Sequence, residues 1–176
     1  MRFQAIGIAA AACAALIGCK SSTDVTPDQR TAFERYLDGL QVEYTQQGGV
    51  YRVVANSDRE GYESAPEIEA GDSAYLYFAG YTFASSTRKL YYTNMQSVAD
   101  SVKGLDTEYW SYDPWRIRMG ATPMIKGLGN GLPGCRQGDS VALFITSDLA
   151  YDDKQVGMVG PNTAVMMIVN VEKVIK

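Results

Sequence analysis

The chain has 176 residues and no histidine. That absence removes Ser-His-Asp and Cys-His nucleophilic machinery, the usual general base near neutral pH and the commonest metal ligand. Chemistry here must run on carboxylates or need no proton shuttle at all. Cysteine is nearly as scarce: of Cys13, Cys19 and Cys135, only Cys135 lies outside the amino-terminal stretch, which excludes a disulfide framework. A long hydrophobic run is also missing, because the uncharged stretch Ala5 to Gly18 is too short to span a bilayer comfortably. Basic clusters are absent, with 16 Lys and Arg against 20 Asp and Glu, and this argues against nucleic acid as a partner. Carboxylates are scattered, so no metal is expected. GLGNGLPG lacks the strand-turn-helix setting of a phosphate loop, so no nucleotide or other cofactor is expected either.

The amino terminus is organised as an export segment. Arg2 precedes Ala5 to Gly18, and Leu16-Ile17-Gly18-Cys19 resembles the lipobox of bacterial lipoproteins. On this reading residues 1–18 are a removed signal and Cys19 becomes the acylated first residue. Residues 19–25 are then a polar tether to a membrane. The expected location is the cell envelope, lipid-anchored to a membrane; the alternative is an ordinary secretory signal with an incidental cysteine. Removing residues 1–18 leaves 158, enough for one domain with a proper core. Only Arg2 is lost, so the basic count falls to 15 and the net charge to about −5.

Residues 26–47 are read as a helix that docks on something. Thr26-Pro27-Asp28-Gln29 offers an N-cap, a proline at the first helical position and a glutamine placed to close a capping box. Phe33, Tyr36, Leu37 and Leu40 follow at i, i+3, i+4 and i+7. This stripe packs on its own domain or, alternatively, on a second copy. Gly48-Gly49 marks a turn, and 48–176 forms the main domain. Strands are predicted over Val50 to Ala55, Ser73 to Ala79, Lys89 to Asn94, Trp115 to Met119, Ser140 to Thr146 and Val165 to Ile175. Phe78 should point inward, and Met167, Val169 and Val171 should share a face opposite Asn170 and Glu172. Short helices are predicted over Ser97 to Lys103 and Pro123 to Leu132. Glu108 to Trp115 concentrates aromatics as either a local mini-core or a substrate-contacting flap.

Several blocks then follow in one order: GDSAYLYFAGYTF, KLYYTN, PWRIRMG, MIKGLGNGLPGCRQGD, DLAYDD and GPNTAVMMIVNVEKVIK. In that order and spacing the chain from Gly48 to Lys176 resembles the FKBP-type peptidyl-prolyl isomerases. The resemblance implies an α+β fold, an antiparallel sheet of five or six strands curled round one short helix, with the pocket between them. It also implies rotation about X-Pro bonds without acid or base, on proline-containing segments of exported proteins.

Carried over by position, the resemblance implies that Tyr151, Ile125, Phe78 and Trp115 act on the peptide. Tyr91, Tyr92, Met124, Leu128 and Met167 complete the binding surface. The Ile125 backbone N–H and the Tyr151 hydroxyl would be the hydrogen-bond donors. Phe78 stands where the family usually has Tyr, Tyr92 where it has Asp, Leu128 where it has Trp, Met167 where it has Phe, and Trp115 in place of a Phe. The segment between Asn94 and Trp115 is longer than the family's. Two other functions stay open: a non-catalytic peptide-binding module, and a structural lipoprotein that captures a partner through Glu108 to Trp115.

Overall fold

Apolar residues at every second position of a strand bury one face, and when the intervening positions are apolar too, both faces must be covered. The later strands of this chain have that second pattern, and a helix lies against each face. The computed structural model describes residues 22–84, 88–102 and 111–176. The proposed signal, Cys19, Tyr109 and Trp110 lie outside them. In chain order the elements are α1 (Ser22–Leu40), β1 (Thr45–Gln47), β2 (Val50–Val54), β3 (Ser73–Thr82), β4 (Lys89–Thr93), α2 (Gln96–Ala99), β5 (Trp115–Arg118), α3 (Lys126–Gly131), β6 (Ser140–Ile145) and β7 (Val165–Ile175).

The strands form a seven-stranded sheet in the order β1-β2-β6-β7-β3-β4, with β5 also paired to β3. All pairings are antiparallel. This is the α+β, FKBP-like architecture expected, with one strand more than the upper estimate. The extra strand, β1, falls within 26–47, which the sequence reading gave to helix. Gly48 and Gly49 take φ values of 54° and 83° and place Gln47 opposite Val50. Two consecutive left-handed residues make the tight hairpin turn whose twist matches its strands, and glycine adopts it without steric cost. The chain therefore folds back into the sheet, and α1 stops at Leu40.

One face of the sheet carries Val50, Ala74, Leu76, Phe78, Leu143, Ile145, Val165, Val169 and Val171, closed by Leu128 and Leu132 at α3. The helix can lie this close because residue 127 is glycine; a Cβ there would collide with the Ile145 side chain. Arg52 donates to the carbonyl oxygens of Gly131 and Pro133, so a cation meets the negative end of α3. Cys135 is buried nearby, and burial pushes its thiol up to about 11, so it stays protonated and packs as an apolar side chain.

The other face carries Tyr51, Phe144 and Met166, covered by Phe33 and Leu37 of α1 together with Phe83. Phe33 meets Phe83 edge-on at 4.9 Å between ring centroids and also touches Tyr51 and Phe144 at 5.7 Å. Edge-to-face contacts of this kind add about 0.5–1.5 kcal/mol to the burial itself. The apolar stripe of α1 is therefore used on its own domain, although Leu40 at its end is half exposed. Tyr51 donates its hydroxyl to Glu34 Oε1 at 2.7 Å, which ties α1 to β2.

The predicted capping box is not formed. The helix begins at Ser22, with Pro27 inside it, and Thr26 and Gln29 send their side chains to other elements. A cap joins residues three apart. Here tertiary partners on the opposite side of the sequence outcompeted it.

Candidate active site

The site grows from a discontinuity on one edge of β3. Ala79 is paired with Thr93 of β4, and Leu76 with Trp115 of β5, so neither strand covers Phe78 on that edge. Asn94, the residue after β4, fills the gap with its side chain. Its Oδ1 accepts from the Phe78 N–H at 2.6 Å, and its Nδ2 donates to the carbonyl oxygens of Leu76 and Asp113, both at 3.0 Å. The Thr93 hydroxyl and the Asn94 N–H both donate to the Phe78 carbonyl. A buried carboxamide with all these bonds made replaces the missing strand and holds Phe78 and Trp115 in a fixed relation. The rings meet at 5.6 Å with an interplanar angle of 64°, and Tyr92 continues the row at 5.2 Å from Phe78.

These rings form part of a cavity of about 540 Å³. Its lining includes Phe78, Tyr91, Tyr92, Trp115, Met124, Ile125, Leu128, Tyr151 and Met167, so the structure brings every sequence-predicted pocket residue to one hollow. Phe78, Leu128 and Met167 are buried there, whereas Tyr92 is half exposed at the rim. Gly80 matters to its shape: a Cβ at that position would come within 2.7 Å of the Tyr91 ring and 3.0 Å of Met167 Sδ. Cys19, the remaining predicted residue, lies outside the described residues.

Polar contacts inside the cavity form a short chain. The Tyr91 hydroxyl donates to Met167 Sδ at 3.2 Å, and the Tyr151 hydroxyl donates to Tyr91 Oη at 3.5 Å. Burial, reinforced by the bond from Tyr151, pushes the Tyr91 phenol far above its ordinary range, so it remains a neutral donor. The Tyr151 bond is at the limit of useful length, so a carbonyl at normal distance would compete with it. Ile125 precedes α3 in an extended conformation, and its own carbonyl accepts the first bonds of that helix. Its N–H has no acceptor among the described residues.

Sequence reasoning did not single out Asn94, Ser111, Asp113, Pro114 or Arg116, which also line the cavity. The usable signal for Asn94 was a β-disfavoured residue directly after a strand and next to a threonine. Ser111, Asp113 and Pro114, from the described part of the Glu108 to Trp115 segment, form a wall of the cavity. Among the described residues no group of three or more Asp, Glu or Cys side chains could hold a metal ion, and no helix is long and apolar enough to cross a membrane.

Residues 66–172, more than half of the chain, match the family of FKBP-type peptidyl-prolyl cis-trans isomerases. FK506-binding protein 1A of Neurospora crassa is 26% identical over 131 residues, which span 74% of this chain and 83% of that protein. The peptidyl-prolyl cis-trans isomerase of Pseudomonas syringae superposes with a TM-score of 0.59 at 16% identity, over 90% of this chain and 100% of that one. FkpA from Escherichia coli gives 0.57 at 17% identity, over 87% of this chain and 62% of that one. At such identities the solved structures speak for the fold alone, and the family rests on the sequence match. The chain belongs to the FKBP-type peptidyl-prolyl cis-trans isomerase family.

Proposed function

We propose that this protein is an active prolyl isomerase, anchored by lipid at Cys19 in the cell envelope, that acts on proline-containing segments of exported proteins. A planar amide resists rotation by about 18–20 kcal/mol, and X-Pro bonds turn over unaided in roughly 10–100 s. The twisted amide has lost its resonance and is less polar than the planar one. A dry apolar hollow therefore disfavours it less, and catalysis is differential binding that needs no acid or base. Phe78, Trp115, Leu128 and Met167 would hold the pyrrolidine ring, while the Ile125 N–H and the Tyr151 hydroxyl would take the neighbouring carbonyls. Tyr91, Tyr92 and Met124 would line the approach.

One observation carries this reading: the hollow is open and apolar, and an unaccepted main-chain N–H and a weakly held phenol lie in its lining. A protease-coupled assay with a proline peptide tests it on the chain from Lys20 onward. Acceleration at micromolar protein is expected, and none would overturn it. The anchor is tested separately by Cys19→Ser, which should move the protein from the membrane fraction to the soluble one.

A second reading, a cleft that binds peptide without fast turnover, is favoured by Leu128 and by Tyr92 at the rim. There Leu128→Trp together with Tyr92→Asp should raise kcat/KM. Unchanged turnover would count against it.

A further inference from the structure

Between β6 and β7 the chain makes an excursion that carries Tyr151, and its fixing comes from outside. Residues 152–158 are exposed, Asp152 takes a left-handed φ of 59°, and Tyr151 itself is only half-buried. Val159 is buried in the core and Leu149 to Tyr151 pack against it, but apolar packing holds little of 152–158 between them. Backbone bonds divide it instead: the Asp152 N–H donates to the Ser147 carbonyl, and the Asn162 N–H donates to the Asp152 carbonyl, both at 2.7 Å.

Gln29 of α1 closes that circuit from the far side of the sequence. Its Oε1 accepts from the Ser147 N–H at 2.8 Å, and its Nε2 donates to the Asn162 carbonyl at 2.9 Å. One carboxamide thus grips both ends of the excursion, each end by the atom of the right polarity. One turn earlier, Thr26 Oγ1 donates to Asp148 Oδ1 at 3.0 Å. A glutamine whose two functional atoms are spent on the boundaries of one loop does more than solvate a helix.

We infer that Gln29, assisted by Thr26, is a positioning residue that holds Tyr151 at the lip of the cavity, so that α1 belongs to the isomerase machinery as well as to the core. The consequence for turnover rests on the isomerase reading above; the consequence for the loop does not. Gln29→Ala should disconnect the excursion, whereas Gln29→Glu keeps the acceptor for Ser147 and loses the donor to Asn162.

The test uses the full chain with two readouts. Amide hydrogen exchange over 147–162 should accelerate about tenfold or more in Gln29→Ala and by less in Gln29→Glu, while amides of β3 and β7 keep their protection. For a proline peptide, kcat/KM should fall about 3- to 10-fold in Gln29→Ala. In the Tyr151→Phe background the same substitution should bring no further loss. Unchanged exchange over 147–162, or losses that multiply independently in the double variant, would overturn the inference. If Gln29→Ala fails to fold, Gln29→Glu decides by the same readouts. If the wild type itself shows no turnover, the isomerase reading fails and exchange alone decides the loop claim.

Discussion

Replacing Asn94 by alanine tests whether a single side chain joins the two halves of the β3 edge. Asn94→Ala leaves the Phe78 N–H without a partner in a buried place, while the Leu76 carbonyl keeps its pairing with Trp115 of β5 and the Asp113 carbonyl is near enough to solvent to recover water. An unsatisfied buried donor or acceptor costs about 1–3 kcal/mol. One such group, served by a 2.6 Å bond, gives roughly 2 kcal/mol. For a domain of this size that lowers Tm by about 4–8 °C. Urea unfolding followed by tryptophan fluorescence is the assay, and the midpoint should fall with the m-value unchanged. Because Asn94 also sets Phe78 against Trp115, affinity for a proline peptide should drop in the same variant. A loss below about 1 kcal/mol with an unchanged m-value would refute the splice and leave Asn94 an ordinary polar wall residue.

Phe33→Ala removes the centre of the aromatic cluster under α1 and should cost about 3–5 kcal/mol, read as a lower urea midpoint. Gly127→Ala forces α3 away from Ile145, with an expected loss of about 1–3 kcal/mol and a fall in kcat/KM as the Ile125 N–H shifts; unaltered values for both would contradict the close approach. Tyr51 has its phenol pushed from 10.0 up to about 12 by burial, aided by its bond to Glu34. A raised folded value means that stability is complete below pH 10 and is lost as pH rises from 10 to 12. The hydroxyl is only part-buried and solvent screens it, so the loss is on the order of 1 kcal/mol, and it should be missing from Tyr51→Phe in alkaline denaturation series. Cys135, buried with its thiol raised, should react with a thiol reagent only at the rate of unfolding.

The strands were legible because alternation is a local property. Ala74, Leu76 and Phe78 face one way in the sequence pattern and in the sheet, and Val165 to Ile175 is a strand over the whole predicted span. The pocket set was legible through its resemblance to the family, which stores the outcome of a fold that spacing alone does not reveal. Asn94 was not legible, since nothing in a lone asparagine announces that two strands will part company beside it.

Residue order by itself determined where the chain extends, where Gly48-Gly49 reverses it, and that no histidine chemistry is available. Only the tertiary structure decided what Thr26 and Gln29 bind. Their local geometry suits a helix cap, yet their partners lie 122, 118 and 133 residues away. A hydrogen-bonding side chain takes whichever partner the packed chain brings within about 3 Å, and long-range proximity is a property of the whole fold.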